Sequence, residues 1–161
     1  MAVRASVEAI QNGRAYAADV NSWAHGWVAW RTRDFGGNVP ITEAAGETEI
    51  TTLTVTPTLV AGRRYKITGQ VRFGMAPVSP DTILSQLKLY ADATLIDSHS
   101  LYILALTDDH RVNVCGLYLA AADGAVTFKM TATCFTAAHQ FVLNNTAFTP
   151  GLMLVEDIGT T

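Results

Sequence analysis

The sequence predicts an all-β chain: an antiparallel β-sandwich of about eight strands, the number found in a double-sheet jelly roll. Three observations carry this. From Thr48 onward the chain is a series of short alternating segments rich in Thr, Val, Leu and aromatics. Turn formers such as Pro77–Pro80 and Asp123-Gly124 separate those segments. Hydrophobic residues make up 49% of the 161 residues and charged ones 16%, enough to build a core and unlike a disordered composition.

Residues 1–46 differ in texture, with Gly13, Gly26, Gly36, Gly37 and Pro40 interrupting every pattern. They read as an N-terminal attachment arm with one short helix, because Val3, Val7, Ile10 and Ala17 recur at helical spacing. Trp23, Trp27 and Trp30 also fit one helical face, although Gly26 between them weakens a helix. Residues 47–161 form the β domain. Its first strand is expected over Thr48–Val55, followed by a loop marked by Pro57 and Ala61-Gly62. Arg64–Phe73 is the clearest strand, since Tyr65, Ile67, Val71 and Phe73 alternate with Arg64, Lys66, Thr68, Gln70 and Arg72. Further strands are expected over Ile83–Ala91 and Thr94–Leu104, joined at Asp92-Ala93, and around Arg111–Leu119. Asp123-Gly124 is read as a hairpin turn from that last strand into Val126–Cys134. His139–Leu143 and Leu152–Ile158 complete the set. Strand order along the chain does not separate a jelly roll from another Greek-key sandwich.

Composition also limits function. The net charge is −3 and no run of Lys or Arg occurs, so no nucleic-acid partner is expected. No stretch reaches the roughly 18 apolar residues of a membrane span, and the first residues lack the apolar core of a secretory signal. Folding in a reducing cytoplasm is therefore expected, with Cys115 and Cys134 as core-facing thiols. Catalytic patterns are missing too. Asp108-Asp109-His110 reads as a solvated loop, and His25, His99, His110 and His139 lack zinc-site spacing. Glu156 and Asp157 are adjacent in a strand and should point to opposite faces. No nucleophile elbow and no phosphate loop is found. The expectation is a protein without catalytic activity, metal or cofactor.

What remains points to binding. Trp23, Trp27, Trp30 and Phe35 concentrate rigid apolar surface in the arm, as anchors at interfaces do. Three readings stand: docking on a partner, covering an open side of the same sandwich, or stacking on sugar rings of a host glycan. The last strand is apolar on both faces, with Leu152, Leu154 and Ile158 on one and Met153 and Val155 on the other. Such a strand is usually buried on both sides, so these five residues are expected at a subunit interface.

Two stretches carry a family resemblance. One runs from Glu47-Thr48-Glu49-Ile50-Thr51-Thr52-Leu53-Thr54-Val55 into Val60-Ala61-Gly62-Arg63-Arg64-Tyr65-Lys66-Ile67-Thr68-Gly69-Gln70-Val71; the other is Leu152-Met153-Leu154-Val155-Glu156-Asp157-Ile158-Gly159. Together they resemble a module of actinobacteriophage virion proteins, which include capsid decoration, head-fibre and minor tail proteins. The resemblance covers roughly residues 46–159 and leaves the Trp-rich arm outside. It implies a homotrimeric, tumour-necrosis-factor-like sandwich in the virion, assembled in the bacterial cytoplasm. The implied role is a capsid decoration or minor capsid protein binding the major capsid protein. A minor tail or baseplate protein, or a carbohydrate-binding host-recognition module, is the alternative.

Overall fold

A computed structural model describes residues 27–33, 39–75, 83–103, 109–136, 140–143 and 150–160. The protein is an antiparallel β-sandwich. No α-helix occurs among the described residues, and 3₁₀ turns at Glu43–Ala45 and Thr51–Leu53 are their helical elements. The expected helix around Val3–Ala17, together with Trp23 and Phe35, lies outside the described residues.

The larger sheet is built on the 13-residue strand β5 (Arg63–Met75). Along one edge β5 pairs with β8 (Asp109–Leu119). Along the other it pairs first with β12 (Gly151–Thr160) and then with β11 (Gln140–Leu143). Outside these lie β1 (Trp27–Arg33) on β12 and β2 (Val39–Thr42) on β11. The smaller sheet runs β3 (Thr48–Glu49), β10 (Phe128–Cys134), β6 (Ile83–Ala91) and β7 (Thr94–Ile103). A two-residue ladder, β4 (Thr58–Leu59) on β9 (Gly124–Ala125), stands apart. Between the two main sheets the chain crosses from β2 to β3, returns by way of β4 to β5, and crosses again at β5–β6, β7–β8, β8–β10 by way of β9, and β10–β11. Such crossovers characterise jelly-roll sandwiches.

Alternation decides which residues meet the core. On β5, Tyr65, Ile67, Val71 and Phe73 are buried while Arg64 and Lys66 are exposed. They pack with Val112, Val114, Met153 and Val155 against Leu87, Leu89, Phe128, Met130 and Ala132 of the other sheet. Two glycines allow close approach. A Cβ on Gly69 would collide with the Met130 side chain, and one on Gly116 with Ile96. Ile96 is β-branched and rotates little, so the two sheets meet closely at the β7–β8 side only because residue 116 has no side chain. There Asp97 Oδ2 also accepts the Cys115 N–H at 2.9 Å.

Four sequence expectations change. Within the expected arm, Trp27–Arg33 and Val39–Thr42 are not irregular, since β1 and β2 are hydrogen-bonded members of the larger sheet. Trp27 and Trp30 therefore lie on a strand, not a helical face; the chain gains ladder hydrogen bonds that a glycine-interrupted helix would forgo. Thr48–Val55 is not one strand but β3, a 3₁₀ turn and a lone bridge from Val55 to Phe128. Asp123-Gly124 does not form a hairpin, because β8 and β10 belong to different sheets. Its turn is instead fastened to the β4–β5 loop: Asp123 Oδ1 accepts the Ala61 N–H at 2.7 Å, and Gly124 has φ 153°. Cys115 is exposed rather than core-facing, because Val112 and Val114 take the inner positions of β8. By contrast, Asp92 closes the β6–β7 hairpin as expected, at φ 50°, a conformation that Asp tolerates better than most residues.

Candidate interaction surface

The outer face of the larger sheet brings together residues that the sequence placed in separate sets. Trp30 on β1 is the cross-strand partner of Leu154 on β12, and Leu154 in turn is opposite Thr68 on β5. Thr68 faces Cys115 on β8, with Oγ1 and Sγ 3.7 Å apart. Trp30 is 44% exposed, while Leu154 and Leu152 are half-buried between their neighbours. One row further, Leu152 lies beside Thr32 and Gln70, and Gln70 Nε2 donates to Asn113 Oδ1 at 2.7 Å. In the opposite direction Glu156 pairs with Lys66 at 3.5 Å, and Leu117 and Leu119 on β8 stand exposed.

Met153 and Val155 do not belong to this surface. Both are fully buried in the chain's own core, opposite Gly69 and Ile67, so they are unavailable to another subunit. The second sheet covers the side of β12 that the sequence had assigned to a neighbour. Ile158 is 48% exposed, beside the bulge between Asp157 and Gly159. Leu152, Leu154 and Ile158 are thus the apolar residues that β12 offers outward, with Glu156 between them.

The two stretches that carry the family resemblance are neighbours in space. β5 and β12 pair along their length, and charged residues cross the ladder. Arg63 Nε donates to Asp157 Oδ2 at 2.5 Å, which raises the Arg63 pKa. Glu156 and Asp157 therefore serve different partners on β5 and form no acid–base pair. The Glu47–Val55 part of the resemblance lies on the other sheet. There Glu47 accepts from Lys88 Nζ at 2.6 Å and Thr131 Oγ1 at 2.7 Å, and Lys129 reaches Glu49 at 3.4 Å.

Signs of chemistry are few. Asp109 and His110 open β8 rather than lying in a loop, and Asp108 is outside the described residues. Among the described residues no group of His, Cys, Asp or Glu is placed to hold a metal ion. A shallow cleft of about 80 Å³ lies between Val39, Ile41, Ile50 and Leu143. That is well below the roughly 300–1,000 Å³ of ordinary small-molecule sites. Cys134 is buried and bonded to the Thr136 carbonyl, and its burial raises the thiol pKa away from the reactive range. Among the described residues no helix is long and apolar enough to cross a membrane.

No family model matches the chain, and no curated protein matches it. Several solved structures are similar in shape. The C-terminal domain of EclA, a sugar-binding protein, aligns over 73% of this chain and 76% of its own at 20% identity, with a TM-score of 0.44. A Stig cyclase from Fischerella aligns over 70% of this chain and 59% of its own at 14% identity, with a TM-score of 0.40. The VP2 protein of infectious bursal disease virus aligns over 81% of this chain but 31% of its own, at 8% identity and a TM-score of 0.47. At such scores the fold class rests on the sheet topology above, and none of the three activities passes to this chain.

Proposed function

We propose that this chain is a non-catalytic structural component of a bacteriophage virion that binds other virion proteins through the outer face of its larger sheet. The major capsid protein is the first candidate partner. The observation that carries the proposal is the pairing of β5 with β12. Both are central to that face and contain the stretches resembling phage virion proteins, while Trp30 and Leu154 sit side by side on its surface. Aromatic and aliphatic side chains in contact on an open sheet face suit a protein interface. Attachment through residues before Trp27, where Trp23 lies, and self-association as a trimer are parts of the same proposal.

The test is co-sedimentation of the full chain with empty capsids of its phage, comparing wild type with Trp30→Ala. The indole is partly exposed, so folding should be retained by circular dichroism while capsid binding weakens on the order of 10-fold or more, as for an interface anchor. Full retention of binding would remove Trp30 from the interface. Binding to isolated tails and not to capsids would move the protein to the tail or baseplate.

A glycan is the second reading, favoured by the half-exposed Trp30 indole on the same strand as the exposed, polar Thr32. Binding of host cell-wall polysaccharide that is lost in Trp30→Ala, with no binding to capsids, would replace the virion-partner reading with this one.

A further inference from the structure

Charge is arranged differently on the two outer faces. On the smaller sheet each lysine has a carboxylate beside it, Glu47 for Lys88 and Glu49 for Lys129. On the larger sheet Arg64, Lys66, Arg72 and Arg111 occupy outward positions, and among the described side chains Glu156 is the acidic residue on that face, paired with Lys66. Counted over the described side chains the face is therefore positive, although the whole chain has a formal net charge of −3. Arg72 and Arg111 are direct cross-strand partners, an arrangement that is unfavourable for like charges. Arg72 already has an interaction within the chain, whereas Arg111 is exposed. Arg64 is exposed as well, beside Leu119 at the far end of the same row.

From this pattern we infer that the face docks a protein surface whose carboxylates surround an apolar centre. Along β5 the outward positions run Arg64, Lys66, Thr68, Gln70, Arg72, with cations at both ends and uncharged groups between them. Eight residues of strand separate Arg64 from Arg72, about 27 Å. Between those ends lie Leu152, Leu154 and Trp30, with Leu117 on β8. Arginine is suited to carboxylates, since its planar fork donates two parallel hydrogen bonds. Nucleic acid fits less well. A single strand calls for a continuous basic track with several stacking aromatics, whereas here the cations are split between two ends, and between them Leu152, Leu154 and Trp30 lie beside the uncharged Thr68, Gln70 and Asn113. Four strands at about 4.8 Å spacing make the face roughly 500 Å², below the ~800 Å² that one partner contributes to a standard stable interface. Charge must therefore contribute noticeably to affinity, so binding should be sensitive to salt.

The inference names the partner chemistry of the docking face proposed above, and it can be tested apart from the virion setting. Full-length protein is titrated with a synthetic peptide alternating Glu and Leu, a Gln/Leu peptide of the same length, and oligo-dT of matching charge. The Glu/Leu peptide is expected to bind best and to lose about 10-fold in affinity between about 50 and about 300 mM salt. Arg64→Gln combined with Arg111→Gln should cost a similar factor, and Arg111→Lys less, with unchanged circular dichroism. Tighter binding of oligo-dT would overturn the inference in favour of a nucleic-acid face. Equal binding of the Glu and Gln peptides, no binding of any probe, or no effect of the arginine substitutions would overturn it as well. Capsid co-sedimentation separates the two claims. If wild type and the arginine variants bind capsids equally, the acidic-partner inference fails and the virion reading stands. If the acidic peptide binds and capsids do not, the reverse holds.

Discussion

Glu47 accepts a hydrogen bond from Lys88, which outweighs the opposing cost of burial and, with Thr131 adding a second, lowers its carboxyl from 4.5 to about 2. A carboxylate with a depressed folded pKa stabilises the native state at neutral pH, and that contribution is lost as pH falls from about 4.5 through about 2. Lys88 shifts the other way, raised by the same hydrogen bond, so the one ion pair is weakened at the acid end by protonation of Glu47 and at the alkaline end by deprotonation of Lys88. With the Glu47 side chain 35% exposed, solvent screening limits the ion pair to about 1 kcal/mol or less. Glu47→Gln is expected to lower stability by that amount near pH 7 and to match wild type near pH 2 in urea denaturation. An equal deficit at both pH values would assign the loss to packing instead. Cys115 shows how little one residue reveals alone. Its expected core-facing position is on the side of β8 that is solvent-exposed, together with Arg111, Asn113, Leu117 and Leu119.

At the scale of elements, β1 and β2 change the meaning of the N-terminal region. Seven residues of β1 and four of β2 add outer strands to the larger sheet, and Val28 and Ala29 pack against the core. Truncation at Gly46 would uncover the outer edge of β12 and the β11 edge, and remove the buried Ile41. That variant is expected to lose at least about 3 kcal/mol, by the loss of Ile41 burial together with two strand ladders, or to aggregate through its new edges. Truncation just before Trp27 should leave the sandwich folded. Thermal unfolding of both chains checks this, and equal stability would show that β1 and β2 add nothing to the domain. Legibility was uneven for a physical reason. β5 and β10 alternate cleanly, so they stood out in the sequence, and β12 stood out as a run apolar on both faces. β1 contains two tryptophans, two arginines and a register shift after Trp27, which obscure a period of two.

At the scale of the whole molecule, β12 explains why self-association needs direct measurement. Its two apolar faces suggested a subunit contact, but the smaller sheet buries Met153 and Val155 within the chain. Of the expected contact residues only Leu152, Leu154 and Ile158 face outward, so a trimer built through them competes with the partner docking proposed for the same face. Light scattering at micromolar concentration is expected to give three times the 17.3 kDa chain mass, lowered toward one by Leu154→Glu. A monomeric wild type would remove the trimer and leave the face to other partners.

The sequence by itself determined the fold class, most of the long strands, and the stretches behind the family resemblance. Period-two alternation and turn formers act within a few residues, so they are legible without a structure. Tertiary structure alone decided that Trp30 meets Leu154, that Asp123-Gly124 joins two sheets rather than two strands of one, and which face of β12 is outward. Those outcomes depend on which strands pair across up to more than a hundred residues. Alternation tells a strand that it has two faces; only the opposing sheet determines which of them is the core.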